Sequence, residues 1–131
     1  MRYLLPLWCI VMLCSCGATK TIKSSEPKRV YMYGVSMDFN DSTVYLTDLQ
    51  FLDSIVVKPD ASIVNLSSYP LQMKTYLESK LGDYNQTCAL FYSPKKRRLE
   101  KRYQNVQYKF KNDKDIVLKK IGVDEFRFYK E

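Results

Sequence analysis

The 131-residue chain has no histidine and only four glycines, four cysteines and one tryptophan. Without histidine, the side chain that most often serves as a general base near neutral pH and as a transition-metal ligand is missing. Ser-His and Cys-His nucleophilic pairs are excluded with it. The glycines at 17, 34, 82 and 122 form no phosphate-cradling loop, and neither Cys-x-x-Cys nor Gly-x-Ser-x-Gly occurs. Cys9, Cys14 and Cys16 crowd at the N-terminus, which leaves Cys88 as the one thiol of the body and excludes a disulfide framework. Cys88 lies in the apolar run Thr87-Cys88-Ala89-Leu90-Phe91-Tyr92 and is expected to be a buried, inert thiol. No apolar run approaches the roughly 20 residues of a membrane-spanning helix.

Aromatic side chains and cations are plentiful. Eleven Tyr and six Phe in a chain that is 46% hydrophobic supply enough material for one modest core, and the length admits one domain. The net charge of +7 is unevenly spread: residues 95 to 120 hold eleven Lys or Arg against Glu100, Asp113 and Asp115. Residues 16 to 94 hold seven basic groups against eight acidic ones, so one segment carries the excess.

At the N-terminus Arg2 precedes an apolar stretch from Leu4 to Leu13, the pattern of a signal-peptide core. The stretch ends in Leu13-Cys14-Ser15-Cys16, which resembles the lipobox of bacterial lipoproteins. The resemblance implies that residues 1 to 15 are a cleaved leader and that Cys16 carries a diacylglyceryl thioether and becomes an acylated first residue. The signature lacks an Asp after the lipidated cysteine, and by similarity to small Gram-negative envelope lipoproteins the expected place is the periplasmic face of the outer membrane. Residues 16 to 29, polar and interrupted by Pro27, read as the lipidated cysteine and a flexible tether, followed by a domain from 30 to 131.

Val30 to Met37 and Thr43 to Leu52 are rich in strand formers and flank the turn-forming Asp38-Phe39-Asn40-Asp41-Ser42, which predicts a hairpin. Lys58-Pro59-Asp60-Ala61 is a further turn, between the short extended pieces Ile55-Val56-Val57 and Ile63-Val64. Tyr69, Met73, Tyr76 and Leu77 recur at helical spacing before Gly82, and a strand follows at Thr87 to Tyr92. Ser93-Pro94 opens a second helix with the stripe Leu99, Tyr103, Val106 and Phe110, and Ile116-Val117-Leu118 begins a last strand. The order ββαβαβ predicts an α+β fold: a two-layer sandwich with a mixed sheet of about four strands, both helices on one face and the last two strands adjacent.

The second helix is the main candidate site. At about 100° per residue Arg97, Lys101 and Tyr108 point away from the apolar stripe while Arg98 and Arg102 line one flank, placing a ring beside cations that suit an acidic partner. Asp38, Asn40 and Asp41-Ser42 begin like a calcium loop, but Thr43 and Leu49 stand where Gly and Glu are required, and a capped turn is expected instead. Asn40-Asp41-Ser42, Asn65-Leu66-Ser67 and Asn85-Gln86-Thr87 match the short glycan-acceptor pattern. Asp38, Asp41, Asp48 and Asp53 are the carboxylates a hydrolase would have to pair. Tyr33-Gly34-Val35-Ser36-Met37-Asp38-Phe39 is similar to the first strand of SPOR-type peptidoglycan-binding domains, which run βαββαβ and would imply glycan binding. The features favour a non-enzymatic, membrane-anchored periplasmic interaction module that needs no cofactor or metal and binds no nucleic acid. Its partner is an acidic polymer, lipid headgroup or protein of the envelope. Glycan binding and carboxylate hydrolysis stay open as alternatives.

Overall fold

The computed structural model describes residues 26–130; the leader, Cys16 and residues 17–25 lie outside them. The elements run β1 (Glu26–Met37), β2 (Thr43–Thr47), β3 (Gln50–Val57), α1 (Ser68–Lys80), β4 (Thr87–Ser93), α2 (Lys96–Lys111) and β5 (Val117–Ile121). The fold is α+β with one open mixed sheet, as the pattern of strand and helix formers predicts. Residues 26 to 29, expected in the tether, already belong to β1, and Glu26, Pro27 and Lys28 pair with Val57, Val56 and Ile55.

β1 and β2 form the expected hairpin across a turn that the Asx side chains build: Asp38 accepts the Asn40 N–H at 2.9 Å and Asp41 the Thr43 N–H at 3.3 Å. The segment that begins like a calcium loop thus forms the expected capped turn. Beyond it β2 and β3 follow the same edge of β1 as one bent strand. Val35 faces Leu46 while Met32 faces Gln50, so three steps along β1 meet four along its partner, and Asp48-Leu49 breaks the ladder. A second irregularity lies between Lys28 and Val30, opposite Asp53 and Ser54, and Ser54 takes φ 59°. β4 pairs antiparallel with the other edge of β1, and β5 pairs parallel with β2.

The two helices lie on opposite faces of this sheet, where one face was expected. Val30 and Met32 of β1 pack with Tyr69, Met73 and Leu77 of α1, whereas Tyr33 and Val35 pack with Leu99 and Tyr103 of α2. The alternation of a strand sends neighbouring side chains to opposite sides, so the continuous apolar run of β1 feeds two cores. β4 and β5, expected as neighbours, sit at opposite edges of the sheet with α2 crossing between them. Three layers result, and each helix buries its own stripe.

The last nine described residues complete the α1 side. Phe126 and Phe128 pack into its core edge to face, 4.9 Å apart, and two glutamines hold their backbone. Gln50 donates to the Phe126 carbonyl at 3.1 Å and accepts the Phe128 N–H at 2.8 Å. Gln72 of α1 pairs in the same way with both backbone groups of Tyr129. These amides supply the hydrogen bonds that a neighbouring strand would otherwise make.

Gly34 of β1 lies under this assembly. A β-carbon there would stand 2.6 Å from Met73 Sδ and 3.1 Å from Phe128 Cζ, so α1 and the tail approach the sheet only because position 34 has no side chain. Gly34→Ala is therefore expected to destabilise the fold by about 1–3 kcal/mol, the usual cost of overpacking a core. The urea unfolding midpoint measures it, and an unchanged midpoint would mean that α1 and the tail do not press on Gly34.

Candidate anion-binding site

Ser93 and Pro94 turn the chain from β4 into α2, with the Lys95 N–H donating to Ser93 Oγ at 3.0 Å. Leu99 and Tyr103 anchor the helix, Val106 and Phe110 are partly covered, and Lys96, Arg97, Arg98, Lys101, Arg102, Lys109 and Lys111 are exposed. The ion pairs among the described residues are Lys28–Glu26, Arg29–Asp53 and Lys120–Asp48, none of them on α2. The first turn of α2 holds no acidic residue. A helix N-terminus carries about half a positive charge, so Lys95, Lys96, Arg97 and Arg98 stand at the end where cations are unfavourable.

The structure brings two of the candidate residues to one place. Arg98 and Arg102 line an open groove of about 400 Å³ together with Lys28, Lys58 and Lys95, facing the single carboxylate Glu26. Glu26 is 3.2 Å from Lys28 and is neutralised by it. Tyr92 supplies the ring of this groove. Arg97, Lys101 and Tyr108 lie outside it on the solvent side of α2; Tyr108 is 72% exposed. Lys28 and Lys58 escaped the sequence reading because they join the groove only through pairing of β1 with β3, which juxtaposes Glu26 and Val57.

The other chemistry-bearing residues serve the fold. Asp38 and Asp41 cap the hairpin turn, Asp53 holds Arg29 at 2.6 Å, and Asp48 lies 3.8 Å from Lys120. Among the described residues no three Asp, Glu or Cys side chains gather into a metal-binding cluster. A buried chain of polar groups links the loop after α1 to the sheet: Ser36 donates to Gln86 at 2.6 Å, Gln86 to Asp83 at 3.1 Å, and the Tyr45 hydroxyl to Asp83 at 2.6 Å. Burial, reinforced by that bond to Asp83, pushes the Tyr45 hydroxyl up to about 12. Cys88 is on a strand as expected, but β4 is an edge strand and leaves the thiol only partly covered; burial still raises its pKa above the usual thiol value. Such a thiol is a poor nucleophile.

Comparison with protein-family models, with curated proteins and with solved structures returns no match to this chain. No helix among the described residues is long and apolar enough to cross a membrane.

Tyr103, which fixes α2 to the sheet, has a buried hydroxyl with no hydrogen-bond partner. Burial first, and then Asp48 and Tyr33, push its pKa up to about 12 from the ordinary value of 10.0. The folded chain thus holds this proton more tightly than the unfolded chain, and stability present below pH 10 is lost as the pH rises toward 12. Tyr103→Phe is expected to lose less stability over that window. At neutral pH it should be as stable as the parent, or more stable by about 1 kcal/mol, because a desolvated hydroxyl without a partner is removed. Denaturant titrations at pH 7, 10 and 11.5 measure both effects, and a variant markedly weaker at pH 7 would show that the hydroxyl is engaged.

Proposed function

We propose that this chain is a lipid-anchored interaction module of the bacterial cell envelope that holds an acidic partner in the cationic groove at the N-terminal end of α2. One observation carries the reading: Lys95, Lys96, Arg97 and Arg98 are unpaired and gathered at the end of α2 where they oppose its dipole, beside Arg102, Lys28 and Lys58. Folding gains nothing from that placement. An anion lying in the groove would meet several cations and the positive end of the helix together. The module acts by binding, and the periplasmic face of the outer membrane is its proposed location, on the strength of the lipobox at Leu13 to Cys16.

The anchor is tested by Cys16→Ser, which removes the thiol that would carry the thioether. Incorporation of a labelled fatty acid into the chain is expected to be lost, and label retained by the variant would refute the anchor.

The groove is tested in the full chain by two charge-matched variants. One replaces Lys58, Lys95, Arg98 and Arg102 with Gln, and the other replaces Arg97, Lys101, Lys109 and Lys111 with Gln. At about 1 kcal/mol per charge the groove variant should bind anionic vesicles or polyglutamate roughly a thousandfold more weakly at low salt. The matched variant should lose at least ten times less. The groove variant should unfold at or above the parent's midpoint, because it removes cations that oppose the helix dipole, and the matched variant should stay within about 1 kcal/mol of the parent. Equal losses in the two would mean that the charge acts diffusely and that the groove is not the seat.

A further inference from the structure

The sheet has an edge that carries no protection against further pairing. β5 at one end carries Lys119 and Lys120, and β3 is bent at Ser54, whose carbonyl accepts the Lys130 ammonium at 2.8 Å. Lysines and bulges of this kind discourage an added strand. β4 has neither: Thr-Cys-Ala-Leu-Phe-Tyr-Ser contains no charge, no proline and no irregularity, and it pairs with β1 over its whole length. Among the described residues nothing else pairs with it, so its outer backbone groups face outward unbonded.

Two further features lie along that edge. At the Thr87 end an apolar groove of about 230 Å³ opens between β4 and α2, lined by Met37, Phe39, Ala89, Phe91, Val106 and Phe110. Phe39 is 87% exposed at the tip of the hairpin, and Phe91 is held flat against Tyr33 at 5.2 Å. At the Ser93 end stand Lys95, Arg98 and Arg102 of the cationic groove. Unbonded backbone calls for another polypeptide, an apolar trough for side chains at every second position, and the cations for acidic residues at one end.

We propose that β4 accepts an extended segment of a partner polypeptide as an added strand, its alternate apolar side chains entering the trough between β4 and α2 and its acidic end lying at Lys95, Arg98 and Arg102. The backbone pairing stands independently, and the acidic end rests on the cationic-groove reading above. A second copy of the chain is a poor occupant. Antiparallel pairing of two β4 strands would continue the sheet and set two α2 helices, each rich in unpaired cations, on the same face.

The test uses the full chain in neutral detergent and two ten-residue peptides of alternating Val and Thr, one beginning and one ending with two Asp, to sample both strand directions. One of them is expected to slow amide exchange of Thr87–Ser93 at least tenfold. N-methylation of that peptide at one alternating set of backbone nitrogens, which removes donors and leaves side chains intact, should weaken binding at least tenfold. Ala89→Lys should do the same while leaving the unfolding midpoint unchanged, because Ala89 is exposed on the edge. The proposal is overturned if neither peptide protects β4, if both N-methylated sets bind as well as the parent peptide, or if the chain alone is a dimer with β4 already protected. Polyglutamate binding is read in parallel: a chain that binds polyglutamate and leaves β4 unprotected overturns the added strand and not the cationic groove.

Discussion

From Tyr31 onward β1 is held on both edges and packed on both faces, and every other element takes its position from that. Tyr31 to Met37 pair with β4 on one side, and the bent β2 and β3 strand follows the other side from Glu26 to Met37. Its side chains alternate between the core under α1 and the core under α2. Such a strand cannot slip by one residue, because a shift would exchange the two sets of side chains and drive Tyr33 into the space that Gly34 leaves for Met73 and Phe128. Register, helix placement and the path of the C-terminal tail are thus fixed by the same alternation.

Burial on both sides leaves polar backbone that must be satisfied locally. Where β1 meets the break between β2 and β3, the Gly34 N–H donates to Thr47 Oγ1 at 2.8 Å. On the α1 face, Gln50 and Gln72 each grip the tail through both amide atoms, and Ser36, Gln86, Asp83 and Tyr45 form a chain in which every link has a partner. A half-satisfied network would cost more than an apolar core, so these residues act as a set. The α2 face has no such network. It relies on rings, with Tyr103 edge-on to Tyr33 at 5.0 Å, and leaves the Tyr103 hydroxyl without a partner.

Much of this was legible in the residues. The β-branched and aromatic runs mark β1 and β2, the Asx-rich turn marks their hairpin, and the stripes Tyr69, Met73, Leu77 and Leu99, Tyr103 mark the buried sides of the helices. The opposite placement of the helices was also encoded, in the unbroken apolar stretch Val30 to Val35, since a strand covered on one face would alternate with polar residues. The bends at Asp48-Leu49 and at Ser54 were not legible, because neither site carries the glycine that usually announces a bulge. Of the candidate site, the cationic helix was plain from charge alone. Its partners Lys28 and Lys58 are ordinary surface lysines until the pairing of β1 with β3 sets them beside Arg98.

Stability and charge occupy separate parts of α2, and that separation is the strongest argument for a binding role. Leu99 and Tyr103 do the packing, and no cation of the helix has an ion pair among the described residues. Arg29, by contrast, is compensated by Asp53, and the Arg29 guanidinium also lies 4.3 Å over the ring of Phe51. At the start of α2 Lys95, Lys96, Arg97 and Arg98 are uncompensated and stand against the helix dipole, at a cost of about 0.3–1 kcal/mol for each charge near the terminus, whereas Lys109 and Lys111 in the last turn accord with it. An anion bound at that end would reverse the sign of that contribution, since the cations would then have a partner of opposite charge. An anion in the proposed groove would thus offset a cost that these cations otherwise impose on the helix.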